Sequence, residues 1–280
     1  MREIKVEDVA AKVRELCLDA GYNLPADVIQ AFKDRAATEE SPVGKRILAS
    51  LVENAEIAAQ GVYPLCQDCG FAVFIVELGN DVHVVGGSLA DAINEGVRRG
   101  YGEGFLRKSI VVHPVAGKNT GDNTPAVIHV VPTAGDQLVI HLAPKGGGSE
   151  NMSRVKMMRP ADGRDGIIAF VMETVKEAGS NPCPPVVVGV GIGGTMEYCA
   201  FLAKKALFRP LGKPAADEWD AALEKDLLAR INKLGIGPMG LGGSTTALAV
   251  HVESFGRHIA SFPCAVNINC HSARHKSATL

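Results

Sequence analysis

The sequence has little net charge, few aromatic residues and no long apolar run. Its 29 Lys and Arg residues nearly balance 31 Asp and Glu residues, for a formal net charge of −2. This balance excludes a general nucleic-acid binder, which needs a basic face to displace counterions from phosphate. No apolar run approaches the ~20 residues that span a bilayer, and the N-terminal segment lacks the apolar core of an export signal. We therefore expect a cytoplasmic protein that binds neither nucleic acid nor membrane.

Cysteine is too sparse for a disulfide scaffold, because 280 residues contain only seven, an odd number. This usage is typical of reduced thiols in the cytoplasm. Three lie in apolar helical or strand patterns that predict small buried side chains: Cys17, Cys199 and Cys264. The other four lie among turns and prolines: Cys66, Cys69, Cys183 and Cys270. Isolated thiols at bends fit a metal cluster assembled from several loops, with one metal lacking a thiolate.

Cys66 and Cys69 form a C-x-x-C pair, which permits other interpretations. A thioredoxin-like redox pair lies between a strand and a helix, but a β-like segment follows here. A zinc ribbon or a ferredoxin needs a second close pair of cysteines, and the sequence has none. The pair alone therefore leaves a redox pair, half of a zinc site and no function as alternatives.

Glycine is abundant, at 31 of 280 residues, which suggests tight backbone turns around a bound group. The segment GVGIGG (189–194) fits the dinucleotide pattern G-x-G-x-x-G after an apolar run. That fold requires an acidic residue at the end of the next strand. Asp217 and Glu218 instead follow in a turn and the start of a helix, so the segment does not predict a dinucleotide site. No Gly-Lys pair precedes Ser or Thr, so the Walker phosphate motif is absent.

Periodicity predicts an α/β (α+β) fold: a helical N-terminal part followed by mixed β-sheet lobes flanked by helices. The first sixty residues read as helices, and later helices are predicted at 88–101, 162–179, 195–208 and 215–234. The predicted strands are 71–78 paired with 81–86, then 109–113, 126–133, 137–144, 184–194, 245–254 and 257–270. Segments 118–124 and 145–158 read as loops. We expect one domain over 1–280, with a seam between two lobes at Pro210–Pro214.

The middle of the chain has a local excess of positive charge. Residues 107–164 contain eight basic and four acidic side chains, a local charge of +4 in a chain that is negative overall. GGGSEN (146–151) in the same region exposes backbone N–H groups that can bind a carboxylate or phosphate. The region therefore predicts a small anionic substrate.

Several motif blocks, taken in order, resemble the α subunit of two-subunit class I fumarate hydratases. The blocks are CQDCG, LRKSIV, NTGDNTPAVIH, APKGGGSEN, NPCPPVVVGVGIGG, GGSTTALAVHVE and HIASFPCAVNINC. The L-tartrate dehydratase α subunit is the close relative of that family. The resemblance runs from about residue 60 to 275 and thus covers most of the chain.

This resemblance implies an oxygen-sensitive 4Fe–4S cluster, bound between the lobes by Cys66, Cys183 and Cys270, with the fourth iron open to substrate. The family usually has Thr at the position of Cys69, which implies that the C-x-x-C pair is accidental. An open iron acts as a Lewis acid on a substrate hydroxyl and carboxylate.

The resemblance also implies roles for residues near the cluster. Gln67 and Asp68 are expected to reach the substrate, and Asp68 to pair with His258, which makes Asp68 and His258 the candidate catalytic residues. Arg107 and the Gly147 backbone are expected to bind a substrate carboxylate. Taken alone, His258 is interpreted as a structural histidine. Only its position in the motif makes it a candidate catalytic residue.

In fused members of the family, the proton-abstracting Thr and further substrate-binding residues lie in a second domain. The resemblance therefore implies a separate β subunit, and we expect a dimer of αβ units. The leading hypothesis is reversible hydration of fumarate to (S)-malate, as in the tricarboxylic acid cycle. The alternative is L-tartrate dehydratase. Hypotheses from other classes are an iron–sulfur electron carrier and a structural zinc protein.

Overall fold

The computed structural model describes residues 1–280 and divides them into two compact units. The first unit contains Met1–Pro25, Ala55–Gly147 and Arg274–Leu280, and the second contains Ala26–Asn54 and Gly148–Ala273. Residues 210–214, the expected seam, lie inside the second unit. Both units combine helices with mixed sheets, which confirms the predicted α+β class. None of the helices has the length and apolar character that crossing a membrane requires.

Eighteen helices and strands make up the fold. In chain order they are β1 (Arg2–Lys5), α1 (Val6–Tyr22), α2 (Ala26–Thr38), α3 (Pro42–Ala58), β2 (Phe71–Gly79), β3 (Val82–Val85), α4 (Leu89–Glu103), β4 (Val127–Thr133), β5 (Leu138–Lys145), α5 (Gly147–Glu150), β6 (Arg154–Met158), α6 (Gly163–Ala178), β7 (Val186–Gly194), α7 (Met196–Ala206), α8 (Glu218–Asn232), β8 (Ala247–Arg257), β9 (Phe262–Asn269) and β10 (Lys276–Thr279).

The first unit is built on a four-stranded sheet in the order β10-β5-β2-β4, beside a parallel β1–β3 pair. Strand β2 is parallel to β4 and antiparallel to β5. Helices α1 and α4 bury their apolar faces with this sheet, through residues such as Val13, Phe74 and Val97. The Ser88 hydroxyl accepts the Asp91 N–H and caps the start of α4.

Four secondary-structure predictions for individual segments are wrong. Strand β3 pairs with β1 and not with β2, because β2 already bonds to strands on both sides. The N-terminal end, expected as helix, is strand β1. Residues 109–113 form only an isolated bridge between Val111 and Asn119, since Val111 and Val112 are exposed and find no apolar face to pack on. The expected loop 145–158 contains α5 and the edge strand β6.

The second unit is a sheet in the order β6-β9-β7-β8, in which β7 is parallel to β8 and antiparallel to β9. The valines of β7 pack with apolar residues of α6 and α8 on one face. Its glycines face α7 on the other. A Cβ at Gly189 would lie 2.0 Å from the Ala203 carbonyl oxygen, and one at Gly191 would lie 2.0 Å from that of Cys199. These two glycines therefore allow the backbone of α7 to lie directly on the strand.

Glu39, just after α2, fixes the glycine-rich loop that precedes β8. Its carboxylate is buried, and Oε1 accepts the N–H groups of Ser41 at 2.9 Å and Ser244 at 2.8 Å. Burial by itself raises the pKa of Glu39, but the donated N–H groups outweigh burial and lower that pKa to about 2. The GGST segment is thus anchored by an ionised carboxylate.

The contact between β7 and α7 predicts that Gly191→Ala destabilises the fold. The added methyl group has to displace backbone, so we expect a loss of about 2 kcal/mol or more in the free energy of unfolding. Urea denaturation measures this loss. Gly102→Ala in α4 is the matched control, because nothing lies within 4 Å of its Cβ position, and alanine favours a helix. Equal stability of the two variants would contradict the packing role.

The Glu39 carboxylate predicts a dependence of stability on pH. Since its folded pKa is about 2 and its ordinary value is 4.5, its contribution is complete above pH 4.5 and is lost as the pH falls toward 2. Between these limits, the free energy of unfolding of wild type should fall by about 3 kcal/mol more than that of Glu39→Gln. Glu40→Gln, at an exposed neighbour, should behave as wild type. Parallel pH curves for wild type and Glu39→Gln would refute this role.

Candidate functional site

The loop Cys66–Gly70 lies immediately before β2 and has no strand partner. Buried side chains bind its carbonyl groups instead. The Tyr101 hydroxyl donates to Cys69 O at 2.8 Å and to Gly70 O at 3.2 Å, and the Asn123 amide donates to Gly70 O at 3.2 Å. The loop is therefore held in one conformation by side-chain donors from α4 and from the segment before β4.

The Asp68 carboxylate joins two of the predicted site residues. Oδ1 accepts the Gly70 N–H at 3.1 Å, and Oδ2 accepts the Gly147 N–H at 2.9 Å. A Cβ at Gly146 would lie 3.1 Å from Oδ2, so a glycine there gives the carboxylate close access. The Gly147 N–H, which is expected to bind a substrate carboxylate, donates in this structure to the carboxylate of Asp68.

The thiols of the loop have different environments. Cys66 is half-buried, with Sγ 3.5 Å from the Oε1 of the exposed Gln67. Cys69 is buried, and its Sγ accepts the Arg107 N–H at 3.1 Å. Burial raises the pKa of the Cys69 thiol. Arg107 thus contacts the loop through its backbone, and its side chain is exposed.

Arg274 is a buried arginine that sequence reasoning missed. It is 3% exposed, and its Nη2 donates to Asp68 O. Its Nε and Nη1 are buried and have no hydrogen-bond partner. An arginine in a polar segment such as HSARH reads as a surface residue, because only the folded structure reveals its burial. The loop thus has beside it a buried guanidinium with two nitrogens that lack acceptors.

In the second unit, the fold brings together the segments of Cys183 and Cys270. Cys183 is exposed, lies between two prolines and has a φ of 54°, in the left-handed region that non-glycine residues seldom adopt. Cys270 follows β9 and is half-buried. The Cys183 carbonyl accepts the His271 N–H at 3.3 Å, and His271 Nδ1 lies 3.0 Å from the same oxygen.

His258 lies in the turn between β8 and β9 and is exposed. Its Nδ1 accepts the Ala260 N–H at 3.2 Å, which leaves Nε2 as the protonated nitrogen of the neutral ring. Its expected partner Asp68 belongs to the first unit. The pairing of these two side chains stays a prediction.

The remaining cysteines are buried, as predicted: Cys17, Cys199 and Cys264. Burial raises the pKa of the Cys264 thiol to about 12, and none of the seven cysteines forms a disulfide. The thiols outside strands and helices are Cys66 and Cys69 in the first unit and Cys183 and Cys270 in the second. Within either unit alone, no three His, Cys, Asp or Glu side chains are placed to hold a metal ion.

Comparison with known proteins agrees with the motif blocks. The profile of a family described as Fumarate hydratase (Fumerase) matches residues 10–279. The putative L(+)-tartrate dehydratase subunit alpha of Methanocaldococcus jannaschii is 42% identical over 279 residues, which is 97% of this chain and 96% of the relative. The L(+)-tartrate dehydratase subunit alpha of Escherichia coli K12 is 34% identical over 260 residues, or 92% and 85% of the two chains.

These matches extend over nearly the whole chain and confirm the resemblance to both subunit types. The chain therefore belongs to the fumarate hydratase (Fumerase) family and is an enzyme of the hydro-lyase class.

Proposed function

We propose that this chain is the α subunit of a two-subunit hydro-lyase that removes water from L(+)-tartrate. The motif blocks favour fumarate as substrate, but the names of the relatives support tartrate. Loss of one water from tartrate gives the enol of oxaloacetate, which tautomerises to the keto acid. The observation that carries the proposal is the Asp68–Gly147 hydrogen bond of 2.9 Å, since it places a carboxylate on a backbone N–H beside the Cys66 loop.

The second candidate is reversible hydration of fumarate to (S)-malate, which the family description supports. Tartrate differs from malate by one additional hydroxyl group. The same carboxylate-binding groups therefore serve either substrate, and the choice between them depends on a polar group that recognises that hydroxyl.

We infer that Cys66, Cys183 and Cys270 hold a 4Fe–4S cluster. The donor set fits, because thiolates are the ligands of iron–sulfur clusters and all three thiols lie outside strands and helices. The unpaired donors of Arg274 fit a group of net negative charge nearby. When bound, the cluster supplies an open iron that acts as a Lewis acid on the substrate hydroxyl.

The side chains of the loop bind and orient the substrate in this proposal. A substrate carboxylate takes the Gly147 N–H and releases Oδ2 of Asp68, which is then available to accept a proton. Gln67 donates its amide N–H to a substrate oxygen, and the exposed Arg107 binds a carboxylate through its planar fork. His258 donates a hydrogen bond from its Nε2 N–H to a reacting group and orients it.

We propose that a β subunit completes the site, because the relatives are named subunit alpha. The resemblance further supports a dimer of αβ units. Thiols free of disulfide bonds support a cytoplasmic location, where such thiols remain reduced.

The ligand assignment predicts the cluster content of cysteine variants. Iron and sulfide are measured after anaerobic purification and reconstitution of wild type, Cys66→Ser, Cys183→Ser and Cys270→Ser. Each of the three variants should lose most of both elements, since serine replaces a soft thiolate. Cys69→Ser is the matched control and should retain both.

A full cluster in all three variants would refute the assignment. Zinc without sulfide in wild type would support a structural zinc protein instead. Reversible reduction with no spectral response to a dicarboxylate would support an electron carrier.

The substrate proposal predicts the activity of the αβ complex. With the β subunit added, kcat/KM for L(+)-tartrate should exceed that for (S)-malate by at least about tenfold, which corresponds to about 1.4 kcal/mol of transition-state stabilisation. The α chain alone should be inactive. A higher kcat/KM for malate would establish the fumarate candidate in place of tartrate, and turnover by α alone would contradict the need for a partner.

A further inference from the structure

Arg274 presents an electrostatic problem that the protein alone leaves unsolved. It is 3% exposed, and the acceptor of its Nη2 is a neutral backbone carbonyl, Asp68 O. Nε and Nη1 are buried and have no hydrogen-bond partner. A guanidinium cannot shed its charge at physiological pH, and a buried charge without a counter-ion is strongly unfavourable.

The neighbouring groups of the first unit do not supply an acceptor for Nε and Nη1 of Arg274. Both oxygens of the Asp68 carboxylate are engaged by backbone N–H groups, those of Gly70 and Gly147. Burial raises the pKa of Cys69 and favours its neutral thiol. The Tyr101 hydroxyl is buried, and burial raises its pKa as well. Of these groups, only the Asp68 carboxylate carries a negative charge, and both of its oxygens accept backbone N–H groups rather than the guanidinium.

We propose that Arg274 is the counter-charge of the cluster, and a positioning residue for the loop that binds it; this inference rests on the proposed function. A 4Fe–4S core of charge +2 with three thiolates has a net charge of −1, which one guanidinium balances. Through Asp68 O, the same guanidinium fixes the loop that contains the ligand Cys66. One buried residue thereby couples the shape of the loop to the charge of the bound group.

A resident group fits Arg274 better than an exchanging substrate does. Its unpaired nitrogens are shielded from solvent, so a dicarboxylate arriving from water does not reach them directly. A charge fixed on the same loop acts on them across the protein interior, where electrostatic interactions are stronger than in water.

The test compares Arg274→Met with wild type, each with and without cluster, by thermal unfolding under anaerobic conditions. Without cluster, Arg274→Met should unfold close to the wild-type temperature, because loss of the hydrogen bond to Asp68 O is offset by removal of two buried nitrogens that have no acceptor. With cluster, its midpoint should lie at least about 3 °C below that of the loaded wild type, and a chelator should remove its iron several-fold faster. Arg274→Lys, which keeps the charge, should recover part of both effects.

Arg99→Met is the matched control, because Arg99 is an exposed arginine of the same unit paired with Glu95, and it should respond equally in both states. An equal loss of stability with and without cluster, or a cluster-free Arg274→Met chain that does not fold, would overturn the proposal in favour of a purely structural role. A difference that appears only when dicarboxylate is added would overturn it in favour of a substrate site. Absence of iron and sulfide from wild type would instead refute the proposed function itself.

Discussion

The loop Cys66–Gly70 sets the principal constraint on the first unit, because it is non-repetitive backbone whose last two residues are buried. Buried carbonyl groups need donors, and here they come from three separate parts of the chain: Tyr101 on α4, Asn123 before β4 and Arg274 before β10. The C-terminal strand β10 lies beside β5, and this pairing places Arg274 next to the loop. The order of strands in the sheet thus helps to determine the position of the five loop residues Cys66–Gly70.

Close backbone approach is the corresponding constraint in the second unit. Strand β7 packs valines against α6 and α8 and presents glycines to α7. The GVGIGG segment resembles a phosphate-binding fingerprint because both features require glycine where two backbones meet. The helix that follows packs on the strand. The next strand along the chain, β8, is parallel to β7, and β9 on the other side of β7 is antiparallel. Glycine spacing alone does not distinguish these two causes.

Local periodicity predicted the elements that are long and apolar on one face, such as α1, α8 and β9, and it predicted the burial of Cys17, Cys199 and Cys264. It did not predict the partner of β3, because pairing depends on which strand edge remains available after β2 has bonded on both sides. Strand β6 was not predicted, because its side chains are mostly exposed and do not alternate between buried and exposed positions. Among the site residues, motif blocks contain Asp68, Asn123 and Gly147, whereas nothing local distinguishes Arg274 from a surface residue.

The Asp68–Gly147 bond and the Arg274 charge have a common physical origin. Both mark positions where the proposed reaction requires an anion. The Gly147 N–H donates to a carboxylate of the protein, and Arg274 is a buried cation beside the loop with two unpaired nitrogens. Backbone N–H donors and a buried guanidinium favour a negatively charged partner, because buried donors without acceptors are unfavourable. Asp68 accepts the Gly147 N–H, whereas the loop provides an acceptor for only Nη2 of Arg274 and leaves Nε and Nη1 unpaired. In our proposal the two positions therefore differ in kind: the Gly147 N–H exchanges Asp68 for a substrate carboxylate, and Arg274 faces a group that stays bound.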